Sequence, residues 1–277
     1  HQCVGGEPSP SANYAIETYK LDVRNQFFSD GIFEDEEFDV IIMRHVVEHV
    51  PDPVKFVKSA VKSLKKGGIA YIEVPNSQWC VENCYFPEFH VDHISYFTMN
   101  SFIRLLEMTG LSKILHIESF NAYMRFPFLM ALVNKAEHSY VAPNSYFGDK
   151  GFLNFSINES IKNFSNKFDV YMKALNRLKN LGSLAVWGSG SIGTQYAIDG
   201  SLSIKDSIYV DPNLISQGLK LSVTGHLVNH PDVLLDFKPE NILIASGWEK
   251  DVSKQVLPYV SKKTKVFTFS DLISGTI

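Results

Sequence analysis

The stretch that most constrains the fold is residues 38–76, FDVIIMRHVVEHVPDPVKFVKSAVKSLKKGGIAYIEVPN. Its first six residues form an apolar run of strand length, which is typical of a strand buried on both faces of a parallel sheet. Over 52–66 apolar residues recur at helical spacing, with Asp52 as a candidate N-cap and two glycines directly after. Residues 69–74 form a second apolar run, so the order strand, helix, strand predicts a βαβ unit.

Polar side chains follow the first strand of this unit at the place where a ligand is expected. In open parallel sheets, ligands bind at the carboxyl ends of the strands. Arg44, His45, Glu48 and His49 lie there. Residues 45–49 also match H-x-x-E-H, an inverted zinc-protease signature, but that site needs a long helix and prolines follow at once. We therefore expect a ligand site of another kind.

Composition narrows the class of protein. With 277 residues and 45% hydrophobic content, the chain is long enough for two globular domains. A formal net charge of −4 argues against a general nucleic-acid binder, and we expect no nucleic-acid partner. The most hydrophobic segment, residues 126–133, is far shorter than a membrane span. We expect a protein that does not cross a membrane and takes a small molecule as its partner.

The cysteines and the first residue bear on where the protein resides and where it begins. Three cysteines, an odd number, are typical of a reducing compartment and predict a cytoplasmic protein without a disulfide framework. The sequence starts at His1 with neither a methionine nor a signal-peptide pattern, and we expect the natural chain to begin upstream.

FDVIIMRHVVEHVPDP, followed by LKKGGIAYIEVPN, resembles the late half of class I S-adenosylmethionine-dependent methyltransferases. The resemblance implies S-adenosylmethionine as the cofactor. In that family an acidic residue ends the second strand and accepts the ribose hydroxyls, as Glu7 would here, although an exposed turn glutamate looks the same in sequence. Phe28 and Asp30 match positions near the adenine, and the turn at Arg44 and His45 would also hold the cofactor. The family's glycine-rich cofactor loop would lie before His1.

The segment FHVDHISYF, residues 89–97, resembles a loop of the sugar C-methyltransferases, which alkylate keto nucleotide sugars. The resemblance implies that His93 removes the proton beside the ketone, that Asp92 supports it, and that His49 helps hold the enolate. Imidazole suits this work because it titrates near neutral pH. His90 is a further candidate, although the family more often has tyrosine there and glutamate at Asp92. A structural loop histidine is the alternative for His93.

The same region permits a metal site in principle. Cys80 and Cys84 precede His90, Asp92 and His93, but the spacing matches no standard zinc module. Cysteines in an aromatic loop are more often small core residues. An alkyl transfer requires no metal, and we expect none.

The C-terminal part begins with a glycine-rich turn after a strand. Residues 188–193 read GSGSIG, and the next strand ends at Asp211, which is a dinucleotide fingerprint. The stretches WGSGSIG, YVDPNLISQG and SGW also resemble the C-terminal domain of the sugar C-methyltransferases, which lines the substrate cleft. On that basis Gly188, Gly190 and Asp211 are candidate substrate-binding residues. A purely structural loop and an NAD site are the alternatives.

Together these features predict an α/β protein with two Rossmann-like parallel-sheet domains in tandem, joined by a helical and aromatic linker. The expected boundaries are 1–120 for the methyltransferase domain, 121–182 for the linker and 183–277 for the C-terminal domain. The expected function is methyl transfer from S-adenosylmethionine to a carbon of a keto nucleotide sugar or related small molecule. An NAD(P)-dependent oxidoreductase and an inactive methyltransferase-like binding domain are the alternatives.

Overall fold

The computed structural model describes residues 2–111, 113–120, 127–135, 157–203, 205 and 207–277. The chain divides into two compact units. The first consists of His1–Pro75, Ile94–Phe120 and Phe128–Asp149, and the second of Asn76–His93, Asn121–Pro127 and Lys150–Ile277. Residues 76–93 thus belong to the second unit, whereas the sequence analysis assigned them to the first domain.

The first unit contains six strands and three helices among its described residues. In chain order they are β1 (Gly5–Gly6), α1 (Ser11–Tyr19), β2 (Val23–Arg24), β3 (Phe38–Arg44), α2 (Pro53–Ser63), β4 (Leu64–Pro75), α4 (Met99–Met108), β5 (Lys113–Phe120) and β6 (Phe128–Asn134). A single turn of 3-10 helix, Val47–His49, follows β3. Because this turn is so short, it cannot place two histidines on one helix face as a zinc protease requires.

The main sheet of the first unit has the strand order β3-β4-β6-β5. Strands β3 and β4 are parallel, as the predicted βαβ unit requires, while β6 is antiparallel to both of its neighbours. β1 and β2 form a separate parallel pair. The α/β prediction is confirmed, but this sheet is mixed rather than purely parallel.

Strand β3 differs from the prediction that it is buried on both faces. Among the described residues it pairs only with β4, and the side chains of Val40 and Ile42 are 53% and 66% exposed. Met43, on the opposite face, is buried in the core. The prediction was wrong because β-branched residues occupy both faces of this strand, which conceals the alternation of a half-buried strand.

Helix α2 begins where the sequence predicts, after Asp52, but it ends before the predicted residue 66. The side chain of Asp52 accepts a hydrogen bond from the backbone N–H of Lys55 at 2.8 Å, which is the N-cap interaction expected from the sequence. The helix ends at Ser63 because Leu64 is extended and fully buried as the first residue of β4. The glycine turn of residues 67–68 therefore lies within the β4 segment and not at the end of the helix.

Helix α4 supplies much of the apolar core beside this sheet. Its N-terminus has a capping box between Thr98 and Ser101, and Gly110 follows its end in the left-handed conformation. Phe102 and Leu106 are fully buried in the same cluster as Ile72 of β4. Thr98 and Gly110 thus set where α4 begins and ends.

The second unit contains five strands and six helices among its described residues. They are α3 (Ser77–Glu82), α5 (Ile157–Asn180), β7 (Leu184–Trp187), α6 (Ser191–Asp199), β8 (Ser207–Val210), β9 (Val228–Asn229), α7 (Val233–Phe237), β10 (Asn241–Ile244), α8 (Glu249–Val256), β11 (Lys265–Phe267) and α9 (Phe269–Ser274). Its sheet has the order β11-β10-β7-β8-β9, and every pairing is parallel. This is the Rossmann-like arrangement that the sequence predicted.

Two further expectations concern the region between the domains. The helical part of the linker expected over 121–182 is α5, and its Tyr171, Leu175 and Leu178 are buried in the core of the second unit. The same expected linker also contains Phe128–Asn134, which is a strand between β4 and β5 in the sheet of the first unit. Residues 121–126 and 136–150 lie outside the described part of the chain. Within the described ranges, no helix has the length and apolar character needed to cross a membrane.

A matched pair of substitutions tests the exposed face of β3. Ile72→Ala removes a fully buried side chain of β4 and should lower the free energy of unfolding by about 2–5 kcal/mol. Ile42→Ala removes a side chain that is 66% exposed and should cost less than about 1 kcal/mol. Urea unfolding of both variants measures the difference. Equal costs would mean that this face of β3 is covered in the native protein.

Candidate functional site

A buried carboxylate ties together the ends of β3 and β4. Glu73 is 1% exposed, and its residue is the register partner of Arg44 on the neighbouring strand. The Arg44 guanidinium donates to both Glu73 oxygens from Nε at 3.3 Å, and the Tyr71 hydroxyl donates to Oε2 at 2.6 Å. The carboxylate is thus held by one charged and one neutral donor.

The protonation of Glu73 follows from these contacts. Burial by itself would raise its pKa, but hydrogen bonds from Tyr71 and Arg44, and then the nearby His45, outweigh burial and lower the pKa below the usual range. The hydrogen bond to Glu73 also raises the pKa of Arg44. The pair is therefore ionised at neutral pH.

His45 and Glu48 extend this cluster along the turn after β3. His45 has a left-handed backbone (φ 48°), and its N–H donates to the Glu73 carbonyl at 3.0 Å. Its ring lies between two buried carboxylates, with Nε2 2.8 Å from Glu73 Oε1 and Nδ1 3.3 Å from Glu48 Oε1. Glu48 is 1% exposed, and among the described residues neither of its oxygens has a hydrogen-bond partner. His49 Nε2 is 3.9 Å from Glu48 Oε1.

The other predicted cofactor residues of the first unit make contacts with residues outside this cluster. Glu7 directly follows β1, as predicted, and its Oε1 accepts from the N–H of Ser9 at 2.8 Å. A carboxylate has about four acceptor positions, so Glu7 can still accept from a pair of ribose hydroxyls. Phe28 packs edge-to-face on Phe56 of α2 at 5.2 Å. Asp30 forms a surface ion pair with Lys62 at 2.7 Å.

Apolar side chains anchor the loop of residues 76–93 in the second unit. Asn76 caps α3 by accepting from the N–H of Trp79. Phe86 packs against Phe164 of α5 at 4.8 Å between ring centroids. Cys80 and Cys84 are buried in the same core cluster, as the sequence predicted, and burial raises the pKa of both thiols.

The polar residues after this anchor form two carboxylate–imidazole pairs. His90 Nδ1 is 2.6 Å from Asp92 Oδ1, and His93 Nδ1 is 3.2 Å from Glu88 Oε1. The two imidazole rings lie 3.8 Å apart. Sequence reasoning expected Asp92 to support His93, whereas the structure pairs Asp92 with His90 and places Glu88 beside His93.

Burial sets the electrostatics of this second cluster. His90 is 8% exposed, and its burial, followed by the neighbouring His93, lowers its pKa despite the hydrogen bond to Asp92. Glu88 is 4% exposed, and its Oε1 has no hydrogen-bond partner among the described residues. Sequence reasoning missed Glu88, although a glutamate two residues before a histidine in an aromatic loop is an available signal.

The glycine turn after β7 is closed by hydrogen bonds within the chain. Asp211 Oδ2 accepts from both the N–H and the hydroxyl of Ser189, at 2.8 and 2.7 Å, and Oδ1 accepts from the N–H of Asn213 at 2.9 Å. In an NAD site this carboxylate would accept from ribose hydroxyls. Its engagement with Ser189 and Asn213 does not favour that alternative.

Glycine occupies the three positions of this turn for different structural reasons. A Cβ on Gly188 would lie 2.4 Å from the carbonyl oxygen of Ala245, and its φ of 111° is costly for other residues. A Cβ on Gly193 would lie 2.1 Å from the Gly188 carbonyl oxygen. A Cβ on Gly190, the N-cap of α6, would meet no atom within 4 Å. Packing thus requires two of the glycines and leaves space at the third.

Comparison with known proteins finds a family match for the N-terminal part of the chain. Residues 1–116 match the family model of a methyltransferase domain. The match covers less than half of the chain and makes residues 1–116 similar to a methyltransferase domain, the kind of domain that uses S-adenosylmethionine as its cofactor. No curated protein matches the chain significantly.

Solved methyltransferase structures share a distant likeness with part of the chain. An S-adenosylmethionine-dependent methyltransferase from Thermotoga maritima is 20% identical, with a TM-score of 0.40 over 47% of this chain and 72% of its own. One from Methanosarcina mazei is 17% identical, with a TM-score of 0.40 over 49% and 82%. One from Archaeoglobus fulgidus is 16% identical, with a TM-score of 0.39 over 48% and 75%. Likeness at this level adds no argument about substrate.

Alanine at two of the glycines should separate packing from open space. Gly188→Ala must displace the Ala245 carbonyl and adopt an unfavourable φ, so it should destabilise the protein by at least about 1–3 kcal/mol. Gly190→Ala should change stability by less than about 0.5 kcal/mol. Chemical denaturation measures both values, and a large cost at Gly190 would show that this turn is more crowded than described.

The thiols should differ sharply in reactivity. Cys3 is exposed, whereas Cys80 and Cys84 are buried with raised pKa values. Titration of the native protein with an aromatic disulfide reagent should therefore label Cys3 rapidly and the other two only after unfolding. Cys3→Ser is the control, since it should abolish the rapid phase. Rapid labelling of a second thiol in the folded protein would contradict the burial of the loop.

Proposed function

We propose that this protein transfers the methyl group of S-adenosylmethionine to a carbon beside a carbonyl, in a nucleotide-linked keto sugar or a related small molecule. His93 takes the proton from that carbon, and the C–H electron pair moves toward the carbonyl oxygen. The resulting enolate carbon forms the new bond to the methyl group, with S-adenosylhomocysteine as the other product. His49 stabilises the enolate oxygen in this proposal.

The pairing of His93 with Glu88 is the observation that carries the proposal. A base that accepts a proton becomes an imidazolium, and a carboxylate within about 4–6 Å favours that charged form. Glu88 Oε1 lies 3.2 Å from His93 Nδ1, and both side chains are at most 7% exposed. Low exposure strengthens the interaction because little water screens it. The second ring nitrogen of His93 would then receive the proton of the substrate.

His90 and Asp92 have a supporting role in the proposal. A hydrogen bond from His90 Nδ1 to Asp92 at 2.6 Å fixes the tautomer in which Nδ1 carries the proton. The lowered pKa of His90 keeps this ring neutral, so it adds no positive charge beside the base.

The glycine turn of the second unit supports a substrate that carries phosphate. Gly190 is the N-cap of α6, where backbone N–H groups and the helix dipole favour an anion. A Cβ at Gly190 would meet no atom within 4 Å, so the turn leaves space there for a nucleotide diphosphate. In this proposal Gly188 and Asp211 shape the turn.

The three cysteines are free thiols, which fits our proposal of a cytoplasmic enzyme.

Two substitutions should separate cofactor binding from proton transfer. Glu7→Gln should weaken binding of S-adenosylhomocysteine by roughly ten- to a hundredfold, since it removes the charge from hydrogen bonds to the ribose. His93→Asn should leave that affinity unchanged and slow both methyl transfer and deuterium exchange from solvent into keto sugar nucleotides by about 10²–10⁴-fold. Calorimetry measures the first effect, and mass spectrometry of the sugar measures the second.

The same experiments identify the alternatives. Binding of NAD(H) without S-adenosylhomocysteine would replace the proposal with an oxidoreductase that uses the turn at Gly188. Binding of S-adenosylhomocysteine without exchange or transfer on any keto sugar would favour an inactive binding domain. Undiminished exchange in a folded His93→Asn variant would remove His93 from the mechanism.

A further inference from the structure

We propose that Glu88, His90 and His93 bind one transition-metal ion of the Zn²⁺ type. Each residue offers one ligand atom, and the three atoms all lie within 4.8 Å of one another. All three residues belong to the loop of the second unit. The ligand set differs from the cysteine-containing set that the sequence suggested, because Cys80 and Cys84 are packed in the apolar core.

The chemistry of the donors selects the kind of ion. Two imidazoles and one carboxylate form a ligand set known from zinc sites that keep an open position. Ca²⁺ and Mg²⁺ prefer oxygen donors alone. Two ligands of a tetrahedral zinc ion with bonds of 2.0–2.1 Å lie about 3.4 Å apart. The 3.2 Å between Glu88 Oε1 and His93 Nδ1 is close to that separation.

The buried Glu88 carboxylate is an independent observation, because its Oε1 lies 3.2 Å from His93 Nδ1 and yet makes no hydrogen bond among the described residues. Glu88 is 4% exposed, and no described residue gives its Oε1 a hydrogen bond. A buried polar atom without a hydrogen bond destabilises the folded protein, and a charged one does so more strongly. A cation bound at Oε1 would remove this cost.

Asp92 and the aromatic anchor prepare the other ligands. Because His90 Nδ1 is bonded to Asp92, Nε2 is the nitrogen that keeps its lone pair for a metal. Carboxylate–histidine–metal arrangements of this kind orient the ring and raise its basicity. Phe86, buried against Phe164, fixes the turn Phe86–Glu88 that ends at the carboxylate ligand. The donors are therefore held by a packed element.

Metal binding would compete with the proposed proton transfer. A metal ion bound to His93 would occupy a lone pair of the imidazole and would also bind the Glu88 carboxylate that stabilises the imidazolium. Zn²⁺ should therefore inhibit methyl transfer. This consequence rests on the proposed function, whereas the binding does not. Binding is therefore measured directly, apart from activity.

The test is calorimetric titration of the chelator-treated protein with Zn²⁺, in parallel with visible spectroscopy of Co²⁺ binding. Glu88→Gln and His90→Asn should each lose this site or weaken it at least tenfold. Asp92→Asn should weaken it about 10–100-fold. Glu82→Gln in α3 and His230→Asn, both at exposed positions, are the matched controls and should bind as the wild type does.

The outcomes decide between the site and its alternatives. A Co²⁺ spectrum without a thiolate charge-transfer band, lost in both variants but kept in both controls, supports the proposal. A thiolate band would overturn it by assigning the ion to a cysteine. No binding by the wild type, or equal binding by Glu88→Gln and His90→Asn, would also overturn it. If one variant fails to fold by circular dichroism, the other gives the result.

Discussion

The polar end of the first sheet depends on the burial of one carboxylate, Glu73. Removing an ion from water costs several kcal/mol unless charged and polar partners compensate. Arg44 and Tyr71 supply this compensation, and His45 adds a contact at 2.8 Å. Because each partner must reach the same two oxygens, the carboxylate fixes where the Arg44–His45 turn lies. The left-handed backbone of His45 is held by the same residue, through the Glu73 carbonyl.

The loop of the second unit, residues 76–93, also contains a buried carboxylate, but its neighbours differ from those of Glu73. Glu88 is about as buried as Glu73, with 4% and 1% of the residues exposed. Its neighbours are two imidazoles, which are neutral or positive according to whether they hold a proton. A carboxylate in this setting is stabilised by a proton on His93 or by a cation between the three side chains. The proposed base and the proposed metal site thus both follow from one buried carboxylate that lies beside two imidazoles.

The sequence predicted the elements that have local signals and missed those that depend on pairing across the fold. The cap at Asp52 located α2, and the glycine turn located β7, α6 and β8. The exposed face of β3 was missed because apolar residues lie on both faces of this strand, so its sequence lacks the polar–apolar alternation of a half-buried strand. The roles of Glu73 and Glu88 were missed because their partners are set by strand register and by loop packing, which a single sequence does not encode locally.

The glycine turn shows why a motif with correct local structure does not by itself define a function. The strand, the turn, the helix and the acidic end of the next strand all form as the fingerprint predicts. Yet the Asp211 carboxylate accepts from Ser189 and Asn213, and two glycines are explained by packing. The hydrogen-bond donors and acceptors that make such a turn suitable for a ribose also allow it to satisfy itself. What remains for a ligand is the space at Gly190 with the N-terminus of α6, which favours phosphate and gives no contact that would specify a nicotinamide.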